Sequence, residues 1–356
     1  MWENARYLAS VGHHVTFVAA GFPGAAREER VGGITLVRLG GGIHSLWFTT
    51  FVYYMRSCRG RYDVVVSEGF GGSRIPRLSP LYVVEPMITE WHQIHRDLFA
   101  VQYPRLLNGP LNTFERATAW IHRNTLVRAG TEDSKREFAT VGFKPANIQV
   151  VPVSIRDEWL EHPVEDPSTE PRILWLGKLR RYKCPDHLVR AMVAVLKKVP
   201  DARLTIAGRS DDLNYANGLR RLVHDLGIEA SVDFRFDLTE VEKRDLMRSS
   251  RVLVVTSAVE GFGIVVLEAN AFGIPVVASS GVPEGAVQEG VNGLRYQFGD
   301  VQALSGRIVQ LFGDPEMYKT LSGNARKNVE RYRWTRVGAE FETMVAMAAA
   351  RAASRA

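Results

Sequence analysis

The stretch Val252-Leu-Val-Val-Thr-Ser-Ala-Val-Glu260-Gly-Phe-Gly263-Ile-Val-Val-Leu-Glu268-Ala269 decides how this chain reads. Val252 to Thr256 is a short, continuously apolar run, the pattern of a strand covered on both faces rather than one alternating between core and water. It delivers the backbone to Gly261-Phe-Gly263, where a helix opens and runs to about Phe272. Unpaired N–H groups at such a helix start, together with the positive end of its dipole, bind an anion without help from any side chain. Glycine lets the ligand come close to the backbone. Glu260 stands just before the helix and Glu268 about two turns into it. A carboxylate accepts hydrogen bonds from both members of a vicinal hydroxyl pair. The segment reads as anion donors set between two hydroxyl acceptors; a turn glycine flanked by two surface carboxylates is the alternative.

The same grammar extends outward. Strands are expected at Arg172 to Gly177, Leu204 to Gly208, Val232 to Phe236 and Pro275 to Ser279. Helices are expected at Pro185 to Val199, through Leu219, Leu222, Val223 and Leu226, and from Thr239 to Ser249, where Thr239-Glu-Val-Glu242 resembles a capping box. Apolar strands alternating with helices predict a parallel sheet covered on both faces. The first half alternates less cleanly. Strands are expected at His14 to Ala20, Ile34 to Leu39, Asp63 to Ser67, Leu81 to Val84, Met87 to Thr89, Thr125 to Ala129 and Ile148 to Val151, with helices at Glu115 to Arg123 and Asp133 to Val141. The chain opens on a helix pattern (Trp2, Ala5, Leu8, Ala9), so the strand and Gly-rich turn that begin a doubly wound domain are expected to precede residue 1 or to be missing. The expected organisation is an N-terminal domain over 1–156, an acidic, proline-containing linker over 157–171, a C-terminal domain over 172–330, and a helix over 331–356 that returns to the N-terminal domain.

Composition narrows the class. The 356 residues suffice for about two domains, and 46% hydrophobic with 24% charged residues excludes a disordered chain. Apolar runs fall far short of the ~20 residues a membrane-spanning helix needs. Two cysteines, Cys58 and Cys184, cannot build a disulfide framework or supply a zinc site alone. No secretory signal opens the sequence, so a cytoplasmic setting is expected. The net charge of +6 is unevenly placed: Lys178, Arg180, Arg181 and Lys183 face only Asp186 between Arg172 and Arg190. That run is either a solvated face or an anion site. It follows a strand and precedes a helix, on the sheet edge where ligands bind in such folds. Lys178 and Lys183 are therefore read as neutralising a diphosphate, with Arg180 and Arg181 toward solvent. Ser280-Gly281-Val-Pro283-Glu284-Gly285 makes a third corner of the same kind.

The set Gly177-Lys178 with Lys183, Glu260-Gly-Phe-Gly263 with Glu268, Gly273-x-Pro275, Gly281-x-Pro283-Glu284 and Asn292-Gly293 resembles the retaining glycosyltransferases of family 4. The resemblance covers most of the chain from about Tyr62 to Trp334. It implies the B-type glycosyltransferase architecture (GT-B): α/β, with two Rossmann-like parallel-sheet domains facing across a cleft. It also implies a nucleotide-diphosphate sugar held mainly by the C-terminal domain, no cofactor and no metal. Carried over, Gly177, Lys178 and Lys183 would serve the diphosphate. Glu260 would meet the donor sugar, with the backbone of Phe262, Gly263, Ile264 and Val265 nearby, and Glu268 the ribose. Pro86-Met-Ile-Thr-Glu-Trp-His92-Gln-Ile-His95-Arg96-Asp97 resembles the family's strand-end histidine segment, giving His92 a place at the donor sugar and His95 as the alternative. Thr131-Glu-Asp-Ser134 resembles a strand-end serine segment of structural character.

The chain departs from the pattern at Val153-Ser154, where Asn-Gly is usual, and at Phe236, where Gly is common. The partners expected are a nucleotide sugar and an acceptor that is a small molecule, a glycan or a lipid-linked glycan. Nucleic acid is not expected, since the aromatics interleaved with cations in single-strand binders are lacking. The segment Trp47-Phe48 to Tyr54-Met55, with Arg56, Arg59 and Arg61, is a candidate peripheral contact with the inner membrane surface, or else a core helix. Catalytic candidates are His92, Glu260 and Lys183. A nucleotide-sugar epimerase and a catalytically silent sugar-nucleotide binder are the competing functions. Acceptor choice is assigned to loops at Gly40 to Trp47 and Glu68 to Arg77, which carry no readable code.

Overall fold

The computed structural model describes residues 1–40, 43–69, 78–96, 98–99, 103–161, 169–210 and 212–353. Of the two loops assigned to acceptor choice, 41–42 and 70–77 lie outside the described residues, as do Asp97 of the histidine segment and 162–168 of the expected linker. The chain forms two units: Met1–Ile94, Gly109–Arg156 and Arg333–Ala356 make one, and His95–Asn108 with Asp157–Tyr332 the other.

In the first unit, α1 (Trp2–Ser10) leads into β1 (Thr16–Ala20), β2 (Glu28–Val31) and β3 (Ile34–Leu39). These form a sheet of order β1-β3-β2 with β2 antiparallel. After α2 (Ile43–Tyr53) come β4 (Val65–Glu68), β5 (Met87–Glu90), α3 (Arg105–His122), β6 (Leu126–Ala129), α4 (Glu132–Val141) and β7 (Ile148–Val150), whose strands make a second, wholly parallel sheet of order β4-β5-β6-β7. β1 and β4 each end a sheet. Every residue of β5 and β6 is buried, as strands covered on both faces must be. That burial traps Glu90, which accepts from Arg128 Nη1 at 2.7 Å and from Asn4 Nδ2 at 3.0 Å. Thr131 caps α4 by accepting from the Ser134 N–H at 3.0 Å, so this segment has a structural task.

Two expectations for this half need correction, and one strand was not foreseen. Leu81 to Val84 is not a strand: Pro80 opens a 3₁₀ turn over Ser79–Leu81, and the Tyr82 and Val84 N–H groups bond to Ser79 O and the Tyr54 hydroxyl instead of a ladder. The helix expected at Glu115 starts at Arg105 and runs through Pro110, an imino acid that the sequence presents as a break. β2 was unforeseen because Glu28-Glu-Arg-Val31 is polar, as an exposed edge strand can be.

The second unit carries β8 (Arg172–Lys178), α5 (Pro185–Lys198), β9 (Arg203–Arg209), α6 (Leu213–Asp225), β10 (Val232–Phe236), α7 (Glu240–Ser249), β11 (Val252–Val255), α8 (Ile264–Ala271), β12 (Val276–Ser279), β13 (Gly293–Tyr296), α9 (Val301–Gly313) and α10 (Pro315–Val329). All six strands are parallel, in the order β10-β9-β8-β11-β12-β13. The chain therefore winds outward from β8 to β10, then restarts at β11 and winds the other way. The seam between β8 and β11 is the topological switch point, where the loops at the carboxyl ends diverge and leave room for a ligand. Ile173, Val254 and Val277 of the sheet pack with Leu188, Met192 and Ile308 of the helices into a fully buried core. Thr239 and Glu242 make the expected reciprocal capping box. Gly208 is required where β9 passes β8: its φ is +131°, and a Cβ there would be driven into the carbonyl of Gly177.

The Asn292-Gly293 and Gly273 positions serve packing. Asn292, wholly buried, donates to Asn270 Oδ1 at 2.8 Å and to Ala286 O at 2.9 Å while accepting from the Gln288 N–H at 2.8 Å. A Cβ on Gly273 would meet Arg326 Nε at 2.5 Å. At the start of the stretch read as a linker, Asp157–Trp159 forms a 3₁₀ turn, and Trp159 is buried edge-on against Phe272 with ring centroids 5.9 Å apart.

The last helix, α11 (Trp334–Ala353), belongs to the first unit. Val337, Phe341, Met344 and Ala348 join Leu8, Ile88 and Leu126 in one core. Gly338 allows α11 to lie against α1, since a Cβ there would enter the Tyr7 ring. Among the described residues no helix is long and apolar enough to cross a membrane.

Candidate functional site

Three loops meet at the switch point, and backbone bonds tie them together. The loop after β8 turns through Arg181–Lys183, then reaches α5 through Cys184, whose φ is +46°, and Pro185. The Ala258 N–H donates to Tyr182 O at 2.8 Å and Thr256 Oγ1 donates to Lys183 O at 2.6 Å, so the loop after β11 holds the first. Trp175 Nε1 fixes Thr256 in turn, at 3.0 Å. The Glu260 N–H donates to Gly281 O at 2.9 Å, binding in the third loop. Gly281 is needed for that approach, because a Cβ would enter the carbonyls of Ser257 and Ala258.

This frame brings Lys183 and Glu260 together from 77 positions apart: the ammonium bonds Glu260 Oε1, which also accepts from Ser257 Oγ at 2.7 Å. Both charges are largely buried, at 19% and 10% side-chain exposure, so the pair is far better shielded from water than a surface bridge. Gly177 and Lys178 end β8 in register with Gly208 and Arg209; Lys178 is exposed. Gly263, at φ +86°, precedes α8 and leaves that helix without a side-chain cap. The backbone N–H groups of Ile264 and Val265 at the helix start thus remain anion donors of the kind the dipole favours. Phe262 is buried against Tyr332 (centroids 5.4 Å apart), which anchors the turn, and Ile264 is half exposed. Glu268 accepts from Lys243 Nζ at 2.6 Å, and that ammonium lies 4.8 Å from the centroid of the Trp159 ring.

Sequence reasoning named Lys183, Glu260 and Glu268 but missed Ser257, Thr256, Trp175 and Lys243. Ser257 and Thr256 lie in the quoted stretch, and a Thr-Ser pair directly after an apolar strand was the available signal. Lys243 gives no such signal, since only the packing of α7 beside α8 brings it to Glu268. In the first unit His92 follows β5 and is half exposed, with Nε2 3.9 Å from Glu68 Oε1 at the end of β4. The parallel β4–β5 register makes Glu68 the neighbour of this histidine. His95 instead stacks on Phe99, centroids 5.7 Å apart.

A doubly wound α/β unit with lysine–carboxylate pairs around an uncapped helix start defines the Rossmann-like class of fold. Comparison with known proteins gives the family. Residues 1–159 match the model described as Glycosyltransferase Family 4, and residues 157–328 match Glycosyl transferases group 1. The chain belongs to the family 4 glycosyltransferases and has their B-type fold. It is 33% identical over 174 residues to an uncharacterised glycosyltransferase of Methanocaldococcus jannaschii (48% of this chain, 43% of that one). It is 30% identical over 253 residues to a D-inositol 3-phosphate glycosyltransferase of Mycobacterium bovis (66% and 50%). The matches thus span half or less of these relatives' lengths. Sucrose-phosphate synthase of Thermosynechococcus elongatus superposes with a TM-score of 0.78 at 20% identity, covering 97% of this chain and 91% of that one.

Proposed function

We infer that the protein transfers a glycosyl group from a nucleotide-diphosphate sugar to an acceptor hydroxyl with retention of anomeric configuration. The acceptor is a small molecule, a glycan or a lipid-linked glycan. The observation that carries this reading is the Lys183–Glu260 pair beside the uncapped start of α8. A diphosphate is the ligand that uses both cations, Lys178 and Lys183, and the helix-start N–H groups at once. As it engages Lys183, it draws the ammonium away from Glu260 and leaves that carboxylate to accept from the sugar hydroxyls.

In the reaction the bond from the anomeric carbon to the diphosphate oxygen breaks, and its electron pair leaves with the phosphate. The acceptor oxygen bonds the same carbon from the same face, and its proton passes to the departing phosphate oxygen. Lys178, Lys183 and the α8 dipole stabilise the charge that grows on that phosphate, the contribution that preorganised donors make to a transition state. Glu268 holds the ribose hydroxyls, and family resemblance assigns His92 to the donor sugar. The reading requires neither a cofactor nor a metal ion.

A thermal-shift panel of nucleoside diphosphates and their sugars tests it. One base should raise the melting temperature of the wild-type protein and leave Lys183→Ala unmoved. An equal response of both proteins to every nucleotide would reject the site. Turnover of the nucleotide sugar that needs no acceptor would point to the epimerase instead.

A further inference from the structure

The first unit holds a cavity of about 400 Å³ between the β2–β3 edge and α2, lined by Arg27, Arg38 and Arg56 together with Leu39, Phe48 and Val52. Its charges are not equivalent. Arg38 is mostly buried and already engaged, donating to Glu29 Oε1 at 2.6 Å and to Ala26 O at 3.2 Å, with its guanidinium 5.5 Å from the Phe22 ring centroid. Arg27, just before β2, and Arg56, in the turn after α2, are exposed, and neither guanidinium has a hydrogen bond or ion pair among the described residues. Glu28 lies close enough to weigh on the Tyr53 hydroxyl of the same cavity, so three arginines stand against Glu28 and Glu29 and an excess of positive charge remains.

Two unengaged guanidiniums present planar forks of donors, the geometry that grips phosphate oxygens two at a time. The volume lies within the range of small-molecule sites and exceeds what a bare phosphate fills. Leu39, Phe48 and Val52 give the remainder an apolar wall, and Phe48 is 56% exposed at the mouth. We propose that this pocket binds a phosphate monoester whose organic body rests on Leu39, Phe48 and Val52 while Arg27 and Arg56 hold the phosphoryl oxygens. The monoester carries about −1.5 to −2 charge at neutral pH, which suits two cations. It is either free in solution or the headgroup of an anionic lipid. The pocket lies in the first unit and owes nothing to the diphosphate site assigned to the second.

Calorimetric titration with phenyl phosphate, and sedimentation with phosphatidylcholine vesicles with and without phosphatidic acid, test the pocket and tell the two sources apart. The protein should bind phenyl phosphate or the phosphatidic-acid vesicles. Lys178→Ala/Lys183→Ala should bind as well as wild type, and Arg27→Ala/Arg56→Ala should lose at least tenfold in affinity. Binding confined to vesicles identifies a lipid headgroup; binding of phenyl phosphate identifies a soluble ester. A second measurement needs no variant: phenylglyoxal labelling of the wild-type protein, read by peptide mass spectrometry, should be blocked at Arg27 and Arg56 by the bound monoester. No binding to either probe, or unchanged affinity in the arginine variant together with unprotected Arg27 and Arg56, overturns the proposal.

Discussion

Lys243 of α7 donates to Glu268 of α8 at 2.6 Å, with its ammonium over the Trp159 ring. The carboxylate assigned to the ribose is therefore aimed by a cation that the sequence places 25 positions away. Lys243→Met should free the carboxylate to rotate and weaken nucleoside diphosphate binding by about tenfold, or about 1.4 kcal/mol. Glu268→Gln should do the same, and the double variant should be no worse than the poorer single one, because both changes act through one contact. Calorimetry on the four proteins measures this. Additive losses would mean that Lys243 acts elsewhere.

Lys183→Ala removes the cation that serves the diphosphate and leaves Glu260 with Ser257 as a partner. Turnover should fall by about 10²- to 10³-fold, the range for loss of one preorganised donor to a developing charge. The pair is 10–19% exposed, so a stability loss of about 1–3 kcal/mol should accompany it, readable by chemical denaturation. Lost turnover with native stability and native nucleotide affinity would separate Lys183 from the diphosphate.

Glu90 gives the first unit a pH dependence. Burial opposes its ionisation, but Arg128, the N-terminal amine and His92 prevail and hold the carboxyl below its usual range. A depressed pKa means that the folded state releases the proton more readily than the unfolded state. Its contribution is therefore complete above the unfolded value of about 4.3 and is lost as pH falls through the lower folded value. Denaturation midpoints should be insensitive to Glu90 titration between pH 6 and 8 and drop below about pH 4. Glu90→Gln should cost about 3–5 kcal/mol at pH 7, because Arg128 is left buried and unpaired, and should flatten the acid limb. An unaltered acid limb would show that other carboxylates set it.

Gly208→Ala tests the close passage of β9 against β8. The residue combines φ +131° with a Cβ position inside the Gly177 carbonyl, so strain and collision add. A loss of more than about 2 kcal/mol is expected by urea denaturation, as for overpacked cores. Gly218→Ala, in α6 where a Cβ would meet nothing within 4 Å, should be neutral or slightly stabilising and serves as the control.

The C-terminal sheet was legible because four of its first five strands carry a mostly apolar run, β10 (Val232-Asp-Phe-Arg-Phe236) alternates apolar with charged residues, and their connections carry glycine, proline or a cap. β13 escaped because Gly293-Leu-Arg-Tyr296 is short and carries a charge. In the N-terminal half Leu81 to Val84 reads as a strand by its apolar residues alone, but the Ser79 carbonyl and the Tyr54 hydroxyl claim the N–H groups that a ladder would need. The candidate site can be located in the sequence at Gly263 and the α8 start, where backbone chemistry marks it, and at Lys183, which the structure pairs with Glu260. Partners supplied by packing between distant helices, such as Lys243, leave no local trace, and neither does the convergence of Arg27, Arg38 and Arg56.

The helix α11 has a consequence for biosynthesis. Val337, Phe341, Met344 and Ala348 complete the interior that Leu8, Ile88 and Leu126 begin. While the chain is being made, the earlier-translated unit must wait for some of the latest residues to emerge from the ribosome, whereas the other can close as soon as Tyr332 is out. The usual order, in which the first-made domain folds first, is reversed. A released chain truncated after Tyr332 should resist protease across the second unit and be cut throughout the first.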